Sequence, residues 1–249
     1  MGQVGKQMKA QIVAITQPTF LPWMGWFDLA DQVDLVIELE DVSFAKRSWQ
    51  QRNRIRTPEG LSFLTVPVLS SGRRGQLISD TELVDLDFVR SFTSVISRHY
   101  ADARYFSRYF DEFCEALAKS AADQKLVSLN CGLIEWLAKQ LGVETKTIRA
   151  SELAVPGKRG ERLANLCERV GALRYISPAG AEEYLLEDKS EFDRRGISVE
   201  LQVYEHPQYR QCFEPFIPYA SALDVLFNEG DAAGSIMRAG RRPARKLGQ

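Results

Sequence analysis

The sequence predicts an α/β protein with a mostly parallel sheet and a helical middle segment. Two short apolar runs, 11–15 and 34–40, flank a stretch with helical spacing near the start of the chain. The last third, from residue 145, again alternates strand-like and helix-like runs. Such alternation favours parallel strands that are joined by helices.

The opening unit is a strand, a loop, a helix and a second strand. Residues 11–15 are apolar and β-branched and stop at a Thr-Gln-Pro sequence, as a buried strand stops at a loop. The loop 19–25 contains Pro and Gly, residues 26–32 have helical spacing, and residues 34–40 form the second predicted strand. We therefore expect a Rossmann-like start with a right-handed crossover, whose loops lie at the C-terminal strand edge where open α/β sheets bind ligands.

The centre of the chain predicts a hairpin followed by helices. Residues 54–56 and 61–68 flank a Thr-Pro-Glu-Gly turn, and residues 70–75 are typical of a mobile loop. Residues 87–141 have long helical patterns, broken near 121–124, and predict a helical insertion or subdomain.

The last third completes the predicted sheet. Its predicted elements are strands at 145–150, 174–177 and 197–204, a helix at 159–170, and short helices near residue 181 and at 220–228. Residues 238–249 contain five Lys or Arg and little to bury, so we expect a basic, flexible tail. The sequence thus predicts one α/β domain over residues 9–230.

Composition excludes several classes of protein. Of 249 residues, 45% are hydrophobic and 26% are charged, which is ordinary for a globular chain. The 32 Lys and Arg balance 33 Asp and Glu, so we expect no nucleic-acid partner. No run approaches the roughly 20 apolar residues of a membrane span, and residues 1–9 contain no apolar signal region. We expect a cytoplasmic protein.

Cysteine and histidine usage argues against a metal site. The four cysteines are widely separated and lack paired metal-ligand spacing, so buried, reduced thiols are expected. Only two histidines exist, His99 and His206, which makes an imidazole-based zinc site improbable.

The segment 40–54 is the richest in chemistry and directly follows the second predicted strand. Arginine can bind phosphate or carboxylate oxygens in pairs, and an exposed indole can stack on a base or sugar. The alternative is a solvated, salt-bridged edge; the position at the ligand-bearing edge favours a site. The predicted ligand-binding residues here are Arg47, Trp49, Gln50, Arg52, Asn53 and Arg54, and the predicted catalytic residues are Lys46 and Asp41. Glu40 and Asp41 could also hold Mg²⁺, or act as a cap or salt-bridge partner.

The first loop adds further candidate ligand contacts. Gln17 supplies an amide, Pro18 stiffens the loop, Trp23 offers an aromatic wall and Gly25 allows close backbone approach. Trp26, near the helix start, is expected in the core.

Near the C-terminus, His206 is the best candidate for a general acid or base, because its ordinary pKa lies near neutrality. The alternative is a histidine that merely caps a strand before proline. Tyr209 and Gln211 lie close by in sequence, whereas His99 is expected to be exposed or to pack on a helix. Walker A, GxGxxG, GxSxG and HExxH motifs are absent, which argues against P-loop kinases, standard Rossmann dehydrogenases, α/β-hydrolases and zincins.

Residues 17–27 (QPTFLPWMGWF) and 40–55 (EDVSFAKRSWQQRNRI) resemble the WbqC-like family, whose members have QPxYLPWxGYF and DDVQFxKRxWQNRN stretches. The resemblance continues through LTVP at 64–67, HPQYRQ at 206–211 and the LFN that ends at Asn228, another predicted ligand contact. Family members are associated with bacterial surface-polysaccharide or O-antigen loci. The resemblance thus implies a modified sugar or its acyl donor as substrate. This chain departs from the family pattern at Thr16, Glu40 and Ser43.

The opening unit also resembles nucleotidyltransferases and pantothenate synthetase, of the HUP class. The HxGH tetrad of those proteins would fall at 23–26 (WMGW), where both histidines are missing. ATP with Mg²⁺ is therefore a possible cofactor, with Lys46, Arg47 or Arg52 in place of the histidines that stabilise the transition state.

These observations predict an enzyme that transfers or ligates a small acyl or aminoacyl group onto an amino sugar or related amine. Its partner would be a small molecule, a nucleotide sugar or an activated acyl donor, with His206 as the base. The alternative is a non-catalytic nucleotide-sugar-binding or assembly protein of glycan biosynthesis. Nucleic-acid binding through 52–54 ranks last, because the remaining charge is balanced.

Overall fold

The computed structural model describes residues 10–249. The start of the predicted domain and the stretch 1–9, where no signal region was predicted, lie outside the described residues. The strands are β1 (Ile12–Thr16), β2 (Leu35–Glu38), β3 (Arg52–Thr57), β4 (Gly60–Thr65), β5 (Lys146–Arg149), β6 (Arg174–Ser177), β7 (Ser198–Tyr204) and β8 (Arg241–Lys246). The helices are α1 (Met24–Asp31), α2 (Asp87–Tyr100), α3 (Phe106–Ala121), α4 (Leu126–Gln140), α5 (Ala150–Leu153), α6 (Arg159–Val170), α7 (Glu182–Glu187), α8 (Lys189–Asp193), α9 (Ala222–Glu229) and α10 (Ala233–Ala239), with short 3-10 turns at Ala179–Ala181 and Gly230–Ala232.

A six-stranded sheet forms the centre of the molecule, in the order β5-β2-β1-β6-β7-β8. The first five strands are parallel, and β8 pairs antiparallel with β7. From β1 the chain adds β2 and then β5 on one side of the sheet. It then adds β6 and β7 on the other side of β1. The strand order therefore reverses between β1 and β6, as in doubly wound sheets. The predicted α/β class, parallel sheet and β-loop-α-β start are confirmed.

Both faces of this sheet are covered, as the apolar runs of β1 and β2 require. Ala14 and Val36 point into a core formed with α1 to α4, α9 and α10. Their neighbours Val13 and Leu35 point into a second core beneath α5 to α8. This alternation follows the two-residue period of a strand. Because the first five strands are parallel, the loops that follow them meet at one edge of the sheet.

The helical middle segment lies against the sheet. Helices α2 to α4 occupy residues 87–140 and are separated at 101–105 and 122–125. Phe113 and Leu133 share one core with Ala14 of β1. The segment therefore has no core of its own apart from the sheet. No helix among residues 10–249 combines the length and apolarity needed to cross a membrane.

The prediction of a flexible tail at 238–249 is wrong. Residues Arg241–Lys246 form β8, which pairs with β7, and Leu247 is buried. Arg241 pairs with the fully buried Asp28 at 2.8 Å, and Arg245 pairs with Glu182. The arginines that suggested solvent exposure are thus held by acidic partners elsewhere in the chain. Those partners are far away in sequence, so composition could not reveal them.

Candidate functional site

Two adjoining cavities lie at the edge of the sheet where the predicted loops meet. The first, which we call the switch cavity, has a volume of about 580 Å³ and lies between the ends of β1 and β6. The second, the hairpin cavity, has a volume of about 260 Å³ and lies beside the β3–β4 hairpin. Thr19, Trp26 and Trp49 line both cavities. The two spaces therefore share a wall, at the position where open α/β sheets bind ligands.

The switch cavity is lined by groups from at least five segments of the chain. They include Thr16 and Gln17 at the end of β1, Leu39 and Val42 after β2, Ser177 at the end of β6, Arg159 and Arg162 of α6, and Tyr184 of α7. The predicted catalytic residue Asp41 forms a salt bridge with Arg162, and both side chains are less than one-fifth exposed. Asp41 is thereby fixed beside the cavity.

Several buried polar atoms around the switch cavity have no partner within residues 10–249. They are the hydroxyl of Thr16, Oδ1 of Asp41 and Nε of Arg162. A buried polar atom without a hydrogen bond costs about 1–3 kcal/mol, so such atoms call for an explanation.

Gln17 and Gln50 form a hydrogen-bonded pair that shapes the cavity mouth. The Gln50 side chain donates to Oε1 of Gln17 at 2.7 Å and accepts from the backbone of Ala45 at 2.9 Å. The oxygen of Gln17 is thus engaged, and the residue itself is exposed. Asn130 of α4 donates to the carbonyls of Pro18 at 3.0 Å and Gln50 at 2.8 Å, which joins the two loops.

Glu40 is committed to a structural role. Its carboxylate accepts from the backbone amides of Ala150 at 3.0 Å and Ser151 at 3.3 Å, so it caps the start of α5. The sequence predicted that Glu40 either holds Mg²⁺ or acts as a cap or salt-bridge partner. In the structure it acts as a cap. Among the described residues, no group of three His, Cys, Asp or Glu could hold a metal ion.

The predicted cations divide between surface and cavity. Lys46 and Arg47 are exposed in the loop before β3. Arg52 lies over the Phe63 ring at 4.2 Å. Arg54 lines the hairpin cavity, lies over the Trp49 ring at 5.2 Å and donates to the carbonyl of Tyr219 at 3.3 Å.

Asn53 lines the hairpin cavity but is engaged by the protein. Its side-chain amide donates to the carbonyls of Phe20 at 3.0 Å and Leu21 at 2.9 Å, and its oxygen accepts from the Arg54 amide at 2.8 Å. Asn53 therefore holds the first loop against β3, and a direct ligand contact for it remains a prediction.

Trp23 and Gly25 form one packing unit. A Cβ at Gly25 would lie 2.3 Å from two carbons of the Trp23 ring, so the glycine leaves room for that ring. Trp23 in turn lines the hairpin cavity. Trp26 is 8% exposed, which confirms its predicted place in the core, although its indole edge also lines both cavities.

His206 lies inside an aromatic cluster and lines neither cavity. Its ring stacks between Trp23, at 6.0 Å, and Tyr209, at 6.1 Å. Burial lowers the pKa of His206, and Nδ1 lies 2.9 Å from the carbonyl of Pro207. In the neutral tautomer that donates from Nδ1, Nε2 is left buried and without a partner within the described chain. His206 thus lies behind the Trp23 wall of the hairpin cavity, and its role as an acid or base remains a prediction.

The remaining predicted residues surround Asp224 of α9. Tyr209 donates to this carboxylate at 2.6 Å and Gln211 donates to it at 2.8 Å, while Asn228 donates to its backbone carbonyl at 2.8 Å. The hydroxyl of Tyr100 in α2 also donates to the Asp224 carboxylate, at 2.8 Å. Burial raises the pKa of Asp224. The contacts give these residues the structural role of anchoring the segment 206–217, and ligand binding by them remains a prediction.

Sequence reasoning missed the far side of the switch cavity. Arg159, Arg162, Ser177 and Tyr184 were not among the predicted site residues, although the elements that contain them were predicted. The usable signal was the basic KRGER run that opens α6, because this helix leads into β6 at the point where the strand order reverses.

A larger open groove, of about 1160 Å³, lies along α3, α4 and β5. Its polar lining includes Glu112, Glu115 and Glu135. None of the predicted site residues lines it, so we place the candidate site at the two smaller cavities, where the strands end.

Fold and cavities together define a doubly wound α/β protein with two adjoining cavities at its switch point. The chain matches the WbqC-like protein family over residues 17–236 and belongs to that family. It is 34% identical over 227 residues to the uncharacterized protein Rv1507c of Mycobacterium tuberculosis (strain ATCC 25618 / H37Rv), covering 91% of this chain and 97% of the relative. No solved structure matches the chain.

Proposed function

We propose that this chain is a cytoplasmic enzyme of bacterial surface-polysaccharide biosynthesis, of the O-antigen type. It binds a nucleotide donor, ATP with Mg²⁺ or an activated acyl donor, in the switch cavity. It then transfers or ligates a small acyl or aminoacyl group onto an amino sugar or related amine. Family membership supports the pathway, and the cleft supports binding of a nucleotide-sized molecule.

The observation that carries the proposal is the set of unpartnered polar atoms around a mostly apolar cavity. Leu39, Val42 and Tyr184 offer surfaces for a planar base. The Thr16 hydroxyl and the Arg162 Nε–H would bond the ribose and phosphate oxygens. Exposed Lys46 and Arg47 would attract the anionic donor toward the mouth of the cleft.

Asp41 is better placed than His206, the predicted base, to take a proton from a ligand in the switch cavity. Arg162 fixes one oxygen of its carboxylate, and the other oxygen has no partner within the described residues. As the attacking amine forms its bond to the acyl carbon, the bond from that carbon to the activating group of the donor breaks, and that group departs as AMP or as the CoA thiol. The amine must also lose a proton, which Oδ1 would accept. A positioned base of this kind contributes roughly a hundredfold or more in rate.

Binding in the switch cavity is tested by calorimetry with ATP, with and without Mg²⁺, and with acyl-CoA and nucleotide sugars. Tyr184→Ala should weaken binding of the nucleotide about tenfold, because its ring lines the cavity. Leu186→Ala is the matched control, since Leu186 is 45% exposed on the same helix and lines neither cavity. Equal effects of the two variants would contradict nucleotide binding in this cavity.

Catalysis is tested by incubating the protein with the nucleotide that binds, an amino acid or acyl donor, and amino sugars. The expected result is a new amide product by mass spectrometry, lost in Asp41→Asn while nucleotide binding persists. Tight nucleotide-sugar binding without any product would favour the non-catalytic binding protein instead.

A further inference from the structure

The hairpin cavity has a chemical character different from that of the switch cavity. Its walls are mostly aromatic, formed by Trp23, Trp26, Trp49 and Tyr219. Trp49 and Tyr219 remain 48% and 47% exposed, although each has a large apolar ring. Exposed rings that line a small concave space are typical of surfaces that bind flat apolar faces.

Arg54 is the charged group of this cavity. It forms no salt bridge with any residue between 10 and 249, and its Nε is buried without a partner. Its guanidinium lies against the Trp49 ring and is held by the carbonyl of Tyr219. The arginine is thus fixed beside two aromatic rings with its charge not neutralised, which favours an anionic group on the ligand.

The backbone supports this arrangement. Tyr219 has a φ of +69°, a conformation that costs a residue with a side chain about 1–2 kcal/mol. That conformation places the Tyr219 ring against Trp23 at 5.3 Å and its carbonyl on Arg54. Both contacts form the wall of the cavity.

We propose that the hairpin cavity is the acceptor subsite, which binds a pyranose ring against Trp49 and Tyr219 and the phosphate or carboxylate of that sugar at Arg54. This inference rests on the proposed function, in which the donor fills the adjoining switch cavity. A pyranose has an apolar C–H face that packs on aromatic rings, and a cavity of about 260 Å³ accommodates a single sugar. The acceptor amine then meets the donor at the wall shared by Thr19 and Trp49.

The test is calorimetry with three probes: N-acetylglucosamine 1-phosphate, glucuronate and neutral N-acetylglucosamine. We expect the phosphate or the carboxylate probe to bind at least tenfold more tightly than the neutral sugar, and the stronger of the two identifies the anion. Arg54→Gln and Trp49→Ala should each weaken that binding at least tenfold, and Arg54→Lys should weaken it less than Arg54→Gln.

Two variants serve as controls. Leu173→Ala removes a 60% exposed apolar side chain that lines neither cavity, and Arg90→Gln removes an exposed positive charge on α2. Both should change the affinity less than twofold. Thermal unfolding confirms that each variant folds.

The proposal is overturned if neither anionic sugar binds, or if Tyr184→Ala abolishes sugar binding while Arg54→Gln leaves it intact. The second outcome would place the sugar in the switch cavity. Affinity for ATP, measured in the same Arg54→Gln protein, should be unchanged. If the anionic sugars fail to bind but ATP binds and depends on Tyr184, only the acceptor subsite is contradicted. If the sugars bind as expected but ATP binding does not depend on Tyr184, only the nucleotide site is contradicted.

Discussion

Gly25 shows how a single missing side chain shapes the site. The Trp23 ring occupies the space that a Cβ at this position would need. We expect Gly25→Ala to lower the free energy of unfolding by about 1–3 kcal/mol, because a crowded ring must move. Chemical denaturation measures this change. Gly180→Ala is the control, since nothing lies within 4 Å of its added Cβ, and an equal loss there would contradict the argument.

His206 offers a second prediction at the scale of one residue. Burial lowers its pKa below the ordinary value of 6.5. The folded state therefore takes up the proton less readily than the unfolded state, and the stability that neutral His206 contributes is lost as the pH falls below about 6.5. An NMR titration of the imidazole should give a midpoint below 6.5.

The same effect should be visible in stability. His206→Phe keeps an aromatic ring between Trp23 and Tyr209 but removes the titrating group. Between pH 7.5 and 5.5 this variant should lose less stability than the wild type. A midpoint at or above 6.5, or identical pH profiles of the two proteins, would contradict the buried neutral imidazole.

At the scale of elements, β8 is held to the fold by ion pairs of very different burial. Arg241 pairs with Asp28, which is fully buried, whereas Arg242 pairs with the exposed Glu205. We expect Arg241→Gln to cost about 2 kcal/mol, because it leaves a buried carboxylate short of a charged donor. Arg242→Gln should cost less than about 0.5 kcal/mol.

A second variant makes the cause of that loss testable. Asp28→Asn combined with Arg241→Gln removes the uncompensated charge, so the double variant should be more stable than Arg241→Gln alone. Urea unfolding of the wild type, Asp28→Asn, Arg241→Gln and the double variant measures the coupling energy between the two residues. Additive losses would indicate that Arg241 acts through its second salt bridge, to Asp31, or through packing of its side chain, and not through the Asp28 charge.

Most elements could be predicted because their signals are local. The helix 159–170 and the strand 174–177 were predicted at their observed bounds, since apolar spacing and a terminal glycine mark them directly. Strand β8 was missed because its sequence is polar and its partners, Asp28 and Glu182, are distant in the chain. Local patterns do not record such partners.

The site was predictable only in part for the same reason. Trp49 and Arg54 follow a predicted strand end, and both line a cavity. His206 has a side chain suited to acid or base catalysis, but its burial among aromatic rings was not predicted. That burial depends on tertiary packing against Trp23, which the local sequence does not show. Arg162 lies 121 residues from its partner Asp41, so only the fold brings the pair together.

At the scale of the whole molecule, both cores share the strands of one sheet. We therefore propose that the helical segment 87–141 and the sheet form a single domain and unfold together. Three of the four tryptophans, Trp23, Trp26 and Trp136, pack with the core on the side of the sheet that faces α1 to α4. Trp49 is 48% exposed, so the fluorescence change should report mainly on that side, whereas circular dichroism reports on both.

Urea transitions followed by the two signals should coincide. An earlier fluorescence transition would indicate that the helical side unfolds by itself and would contradict a single domain. Near-ultraviolet signals of Tyr175, which is buried in the other core, provide an independent check on the second side.

The wall common to the two cavities also bears on the order of events in a catalytic cycle. In the proposed function, donor and acceptor would occupy the two cavities at the same moment, on either side of Thr19 and Trp49. Such an enzyme would have no need to store the acyl group on one of its own side chains between two half-reactions. Its steady-state kinetics should then follow a ternary-complex scheme, with intersecting and not parallel double-reciprocal lines.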